Sequence, residues 1–590
     1  MRSRNAADRN QFSRANNRQL RIADTAHVHL ATLKPRSGLA LLWLCCVIVF
    51  AAGTAKSADS QQGLIGHWTL TQDSTDSSGQ GNDGVSHGVT FSESGALFDG
   101  IDDYIHVPDS VSLGVGTEDF SISVWIETAS QLDDVLGDVL SKFDPATRTG
   151  LNFSLMNYVG ATSAQSNHRN VFFGIDGGQS PPKWVDCGRP GNNHMIWALT
   201  VHDGALYAGT WEPGEDEAGH VYRYAGDQKW IDCGTPDLCN TVSALGQHKG
   251  ELYAGGSFYS GRGSAQPISL NKNPGGRVLR YEGGTQWTDC GKIGDVWTVT
   301  GLVTFAGKLY ATTCDSYGCP ARTEACYRYD GDNKWTFVGN PGGRLGAFLV
   351  HNGSLFASVF GKQGFARYDG QDQWTPLGVV PDTGQTYSGV IYQGRICLGT
   401  WPTGTVFQFD GPNQFSSLGR LGEEKEVMAM AVYNGKLYAG TLPLGQVYRY
   451  DHAAGWTNTG QLDTTPDVTY RRVWSMAVYQ GKLFAGTLPS GHILSLEAGR
   501  AVSHDRALQP GWRHLTAVKA DGQLKLYVDG ECVGRSSPFS AAQFNLNNKR
   551  PLLIGFGQHD HFNGKMRDLR MYARALSDED VVAQASNQRR

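Results

Sequence analysis

The side chains best suited to chemistry in this sequence are aromatic. Trp211 lies in Thr210-Trp-Glu-Pro-Gly214 and Trp401 in Thr400-Trp-Pro-Thr-Gly404. Tyr259 lies in Gly256-Ser-Phe-Tyr-Ser260 and Tyr317 in Cys314-Asp-Ser-Tyr-Gly318. Trp197, Trp297, Tyr387 and Trp474 stand at the heads of apolar runs. Aromatic faces stack on the C–H faces of sugar rings, and their polar edges suit a protein partner. The competing reading is packing inside the fold, which weighs most for the residues beside apolar runs. Trp211 and Trp401, in turn-forming phrases, are the stronger candidates for contact. Catalytic signatures are weak or missing: the letters Gly-x-Ser-x-Gly occur at Gly84-Val-Ser-His-Gly88 but with no helix-forming run after them to make a nucleophile elbow, and there is no His-Glu-x-x-His and no phosphate-cradling loop. Carboxylates from separate elements can still meet in space, so an enzyme acting on an extracellular polymer stays open as the second reading.

The bulk properties narrow the field. Of 590 residues 75 are glycine, almost twice the usual ~7%, and aromatics reach 11% while charged residues are 18%. That balance describes packed structure with many turns, and excludes a disordered chain, a coiled coil and a mostly helical protein. A net charge of −5 provides no basic field for nucleic acid. Residues 1–38 carry eight Arg/Lys, and the uncharged run Leu39 to Ala52 ends at the small residues Gly53-Thr-Ala55. This is the order of a secretory signal, with an uncleaved N-terminal anchor as the alternative, and no second run of spanning length follows. Nine cysteines lie beyond residue 55. Export permits disulfides: Cys233 with Cys239, and two of Cys314, Cys319 and Cys326, are close enough to pair, and the odd number leaves a thiol over. Their spacings do not match a zinc pattern.

A repeat organises the middle of the chain. Gly204-Ala-Leu-Tyr-Ala208 recurs at 250, 307, 353, 394, 435 and 481, in steps of 46, 57, 46, 41, 41 and 46 residues. Phrases such as Val221-Tyr-Arg-Tyr follow, each with an aromatic nine residues after its start: Trp230, Trp287, Trp335, Trp374, Phe415 and Trp456. Constant spacing across a short turn describes a hairpin, and each unit reads as four short strands. Four strands in about 40–50 residues is the period of a propeller blade. Trp184, in Lys183-Trp-Val-Asp-Cys-Gly188, resembles the fourth strand of a unit but precedes the first one, and the seventh copy lacks such a strand. Seven blades closed by residues around 184 follow, with 493–503 as the alternative closing strand. The recurrent Arg223, Arg280, Arg328, Arg367 and Arg449 are expected to bridge neighbouring blades.

The flanks do not repeat. They carry an opening Gly66-His-Trp, Asp76-Ser-Ser-Gly-Gln-Gly-Asn-Asp-Gly84, Phe98-Asp-Gly-Ile-Asp-Asp-Tyr104 and Phe120-Ser-Ile-Ser-Val-Trp125. After the repeats come Gly511-Trp-Arg-His514, Leu526-Tyr-Val-Asp-Gly530 and Arg570-Met-Tyr-Ala-Arg-Ala-Leu-Ser577. In this order the phrases resemble the laminin-G-like, concanavalin-A-like jelly-roll domain. The departure is an interruption of some 320 residues between its fourth and fifth marks, where the repeats sit. The repeats themselves resemble kelch-like propellers loosely, since the double glycine is missing from most units. Neither the Ser-x-Asp-x-Gly-x-x-Trp boxes of sialidase propellers nor the Glu-x-Asp-x-x-Glu phrase of concanavalin-A-like hydrolases occurs. The jelly-roll resemblance implies a calcium ion held by oxygen ligands, for which Asp76, Asn82, Asp102, Asp103 and Asp568 are the matching positions. For Asp76 and Asn82 turn shaping is the alternative.

The expectation is an exported all-β protein: a concanavalin-A-like sandwich (56–180 and 501–590) with an inserted seven-bladed propeller (181–500), behind a signal in 1–55. Its expected role is binding or adhesion, to a glycan or a cell-surface protein. A structural component of the cell envelope is a further possibility.

Overall fold

In the computed structural model, residues 61–157, 165–179, 181–261, 268–314, 325–360 and 364–587 are described. Two antiparallel sheets pack face to face. The first orders the strands Thr90–Ser92, Gly95–Asp99, Asn563–Tyr572, Phe120–Thr128, Gly511–Ala520, Gln523–Val528 and Glu531–Arg535, with Leu64–Trp68 also paired to Asn563–Tyr572. The second orders Val85–His87, Tyr104–Val107, Leu552–Ile554, Gly137–Asp144, Thr149–Met156, Asn170–Gly177 and Arg500–His504. Their inner faces bury one apolar layer that includes Trp68, Phe98, Phe120, Phe153, Phe173 and Phe562. Strands from before and after the repeats alternate in both sheets, so neither flank could bury its face alone.

The insertion leaves and returns on neighbouring strands. Arg500–His504 runs antiparallel to Asn170–Gly177, with Arg500 opposite Ile175 and His504 opposite Val171. The chain therefore departs and re-enters at one edge of one sheet, where an insertion disturbs no core packing.

Between these strands lie seven four-stranded antiparallel units. Their first strands are Met195–His202, Thr241–His248, Val299–Phe305, Arg344–His351, Gln385–Tyr392, Glu426–Tyr433 and Arg472–Tyr479. Each packs against the next, and the last packs against the first, which closes a propeller ring. The seventh unit takes its outer strand from Trp184–Asp186, paired to Ile493–Leu496. Every turn between first and second strands has two residues at positive φ, as in Asp203 (43°) and Gly204 (80°). That is the tight hairpin turn whose second position favours glycine, which explains the glycine opening each repeat phrase.

Two sequence expectations need correction. Four of the five recurrent arginines turn to an acid of their own strand rather than to a neighbouring blade. Arg280, Arg328, Arg367 and Arg449 each pair with the acid two residues on, Glu282, Asp330, Asp369 and Asp451. Two residues along a strand return to the same face, so the acid lies nearer than any neighbouring blade. The outer-strand tryptophans bridge instead: indole N–H groups of Trp230, Trp287, Trp335, Trp374 and Trp456 donate to carbonyls of Cys187, Cys233, Cys290, Val338 and Leu418 at 2.8–2.9 Å. Cys233 and Cys239 also stay unbridged. Cys233 is buried in a blade core, and the Cys239 thiol faces the Thr241 carbonyl at 3.4 Å. Cys319 and the signal region lie outside the described residues.

The sandwich closes one end of the propeller. Hairpin turns between first and second strands leave N–H groups free, and five of the seven donate them to sandwich residues, while at a sixth the Asn434 side-chain amide donates to the Ile175 carbonyl. Gly353 donates to the Asp133 carbonyl at 2.8 Å, Gly394 to that of His559 at 3.0 Å and Gly204 to that of Asp505 at 2.9 Å. Segment 165–167 reaches the first strands themselves. Gln165 N–H donates to Leu245 O, Ser166 O accepts from Val201 N–H, and Asn167 exchanges two hydrogen bonds with Val478. The channel is thereby obstructed at this end. Its other end, beneath the loops between second and third strands, carries no such cover among the described residues.

Candidate functional site

The uncovered end of the propeller collects the aromatic candidates. Counting back from the last residue of each first strand, the register places equivalent residues at one height around the channel. Five residues back stand Trp197, Ser243, Thr300, Gly346, Tyr387, Met428 and Trp474. Seven back, nearer the rim, stand Met195, Thr241, Thr298, Arg344, Gln385, Glu426 and Arg472. The ring is thus aromatic on the side of units five, seven and one, and small on the side of units two to four.

The aromatic side is continuous. The Trp197 ring centroid lies 5.0 Å from Trp474 and 4.8 Å from Tyr259, and Tyr387 lies 6.4 Å from Trp474. Tyr387 and Trp474 come from units five and seven, so their contact skips a blade. Tyr259, Tyr387 and Trp474 are partly exposed, whereas Trp197 is almost covered. Trp211 takes a different role from the one expected. It ends the strand Ala205–Trp211 rather than a loop tip, is fully buried, and packs against Tyr259 and Leu488. Trp401 likewise ends a strand, Arg395–Trp401, but keeps partial exposure. Trp297 stands apart from the shelf, edge-on to Phe258 at 5.6 Å. Tyr317 lies outside the described residues.

Polar groups border the shelf. The Arg472 guanidinium lies 5.7 Å from the Trp474 ring centre and 5.8 Å from that of Tyr470, a cation–π arrangement. Its Nε stands 3.7 Å from Glu426 Oε2, with both side chains largely buried. That distance is long for a hydrogen-bonded ion pair, and neither atom has a hydrogen-bond partner in the protein. Burial pushes the Glu426 carboxyl above its usual range, against the opposing pull of Arg472 and Tyr387. Tyr387 donates its hydroxyl to Gln385 Oε1, and burial together with the Glu426 charge holds the phenol protonated. Sequence reasoning missed Gln385, Glu426 and Arg472. Their signal was positional: each stands where three other units carry Met195, Thr241 and Thr298, visible only once the repeats are aligned residue by residue.

The expected calcium positions divide into separate places. Asp76 is engaged by its own turn, accepting N–H groups of His67, Ser78 and Asn82 at 2.9 Å each and the Ser78 hydroxyl at 2.8 Å. Burial alone would raise its carboxyl, but these donors bring it below the usual range. Asn82 is held by Ile65, Ser110 and Ser112. Asp568 accepts from His67 and Arg570 at 2.8 Å each. Only Asp102 and Asp103 fall within a group close enough to share an ion, with Asp99 as the third member. Burial and the charges of Asp99 and Asp102 raise the Asp103 carboxyl, although the Asp99 N–H opposes them.

Residues 467–582 match the model of the concanavalin A-like lectin/glucanases superfamily. The matched stretch joins the first three strands of the seventh unit to the later half of the sandwich. No curated protein matches the chain. Solved structures of similar shape include YCF48 bound to D1 peptide, at 13% identity and a TM-score of 0.37, covering 54% of this chain and 96% of that one. The WD40 β-propeller domain of Doa1 is 10% identical with a TM-score of 0.38, covering 53% and 97%. The β-propeller domain of Cps50 (Swd1) from Myceliophteria thermophila is 10% identical with a TM-score of 0.35, covering 53% and 99%.

Proposed function

We propose that this chain is an exported binding protein that takes a carbohydrate chain at the open mouth of its propeller. One observation carries the reading: Trp197, Tyr259, Tyr387 and Trp474 form a continuous shelf at the end of the channel opposite the sandwich, bordered by the loosely paired Arg472 and Glu426. Aromatic faces would stack on sugar rings, while Gln385, Glu426 and Arg472 would meet hydroxyl groups. The basic segment and apolar run at 1–52 support export. A cell-surface protein is the alternative ligand, and a calcium ion near Asp102 and Asp103 belongs to the same proposal as an accessory of the sandwich.

The geometry favours binding over hydrolysis. Glycoside cleavage uses two carboxyl groups facing one bond. Here Glu426 faces the mouth, but Glu424, two residues away, accepts from the Leu444 N–H at 3.1 Å and belongs to its own loop.

The test is a glycan array with the exported chain, followed by titration of the best oligosaccharide against Trp474→Ala and Trp197→Ala, with and without EDTA. Binding that survives EDTA and is lost in both variants supports the propeller mouth. Binding abolished by EDTA and retained in both variants would move the site to the sandwich. No binding to any glycan would sink the carbohydrate reading.

A further inference from the structure

Where the insertion meets its host, three ionisable side chains from three distant segments converge. Asp134 comes from the sandwich loop ahead of Gly137–Asp144, and Asp560 from the loop ahead of Asn563–Tyr572. His351 is the last residue of Arg344–His351 in the fourth propeller unit. Asp560 is fully buried, Asp134 is 2% exposed and His351 7%. His351 Nδ1 stands 3.1 Å from Asp560 Oδ2 and 3.5 Å from Asp134 Oδ1, and the three donor atoms lie within 4.8 Å of one another.

These contacts do not behave as an ordinary ion pair. Despite the short separations, neither His351 Nδ1 nor Asp560 Oδ2 has a well-directed hydrogen-bond partner. Backbone and amide N–H groups orient the two carboxylates, and Asp134 Oδ1, the oxygen nearest His351, itself accepts two of them. Asp134 accepts from Val135 N–H at 2.9 Å, Asn352 N–H at 3.0 Å and Asn563 Nδ2 at 3.0 Å, and Asp560 Oδ1 accepts from His561 N–H at 2.8 Å. Both carboxylates are thus fixed in place, and Asp560 Oδ2 and His351 Nδ1 are the donor atoms left without a hydrogen-bond partner.

The charge points the same way. Even with a protonated imidazole, two carboxylates leave one buried negative charge, and among the described residues no Lys or Arg pairs with either. Buried charges of this kind are paired or coordinate a metal. A divalent cation with neutral imidazole brings the sum to zero. Bond lengths of about 2.0–2.2 Å to nitrogen and oxygen in a tetrahedral zinc site imply ligand-to-ligand edges of about 3.4 Å. The observed 3.1 and 3.5 Å bracket that value. One imidazole nitrogen beside carboxylate oxygens suits zinc or a neighbouring first-row ion better than calcium, which takes oxygen ligands.

We propose that Asp134, His351 and Asp560 form a site for a divalent first-row metal ion of the zinc class, and that the ion clamps the inserted propeller to the sandwich. Two ligands belong to the host and one to the insertion, so binding requires both in their docked positions. The site is separate from the aromatic mouth and does not depend on what binds there.

The full chain is stripped with chelator, dialysed against Zn2+ and assayed for bound metal and for melting temperature. The expected result is about one tightly held equivalent per chain and a melting temperature that rises with Zn2+. His351→Gln, which keeps the side chain polar, is expected to lower zinc affinity at least about tenfold and to remove the thermal response. Glu93→Gln, at an exposed carboxylate of the sandwich, is expected to leave both unchanged. Should His351→Gln fail to fold, Co2+ added to the stripped wild-type chain gives the same test through its visible absorption, which a low-coordinate nitrogen–oxygen site intensifies. A wild-type chain that retains no zinc, or a His351→Gln chain that retains all of it, would overturn the proposal.

Discussion

Trp211 and Trp474 are both tryptophans near the propeller mouth, yet they are expected to respond to mutation in opposite ways. Trp474 presents a partly exposed face to the shelf, so Trp474→Ala is expected to lower sugar affinity at least about tenfold, near 1.4 kcal/mol, with little change in stability. Trp211 is fully enclosed, and Trp211→Ala is expected to cost about 3–5 kcal/mol through the cavity it leaves. Isothermal titration and denaturant unfolding on both variants check the pair, and equal effects on stability would contradict the placement. Asp505 offers a pH test. Burial pushes its carboxyl up to about 6, against donors from Ser503 and Gln480. A carboxyl raised in the folded state stabilises at low pH and loses that contribution as pH rises from its unfolded value near 3.9 through about 6. Melting curves between those limits should show wild type losing stability that Asp505→Asn does not lose. Parallel curves would refute this.

At the level of the blade, the outer-strand tryptophan is the connecting piece. Five indoles reach a carbonyl of the preceding unit and Trp184 reaches the Thr459 hydroxyl, while four strand-three arginines turn to an acid two residues on. Trp335→Phe keeps most of the packing and deletes one hydrogen bond to Cys290, so a loss of about 0.5–1.5 kcal/mol is expected in chemical denaturation. Arg328→Ala removes a partly exposed pair and should cost at most about 1 kcal/mol. The reverse order would restore the arginines as the bridges. The fifth unit carries Phe415 at this position and does without the bond. The ring therefore tolerates the loss at one interface.

For the whole molecule, the insertion and its host behave as one structure. Five hairpin turns give their N–H groups to the sandwich, Asp176 pairs with Lys436 in a buried contact, and Phe172 packs on Tyr433. Calorimetry on the full chain is expected to show a single transition, since separating the parts would strip partners from buried backbone groups. Two well-separated transitions would show independent domains. Among the described residues the same docking covers the end of the channel opposite the aromatic shelf.

Periodicity alone carried much of this. The glycine phrases and the tryptophans nine residues into each hairpin specify four-stranded units, because strand alternation and tight turns are local properties of the chain. The phrases on either side of the repeats marked a sandwich interrupted by an insertion, since their order survives the gap. The sequence also identified Trp197, Tyr259 and Trp474 as residues that could gather, but it could not separate them from the buried Trp211. Exposure depends on which strand lies opposite, as Tyr259 does to Trp211 across two blades. Glu426, Arg472 and Gln385 were hidden because the mouth is assembled one residue per blade, from positions some 40 or more residues apart. The convergence of Asp134, His351 and Asp560 was hidden more deeply, since it exists only where the inserted ring presses its turns against the host sheet. Local rules determine the elements, and only the closure and docking of the ring decide which side chains share a site.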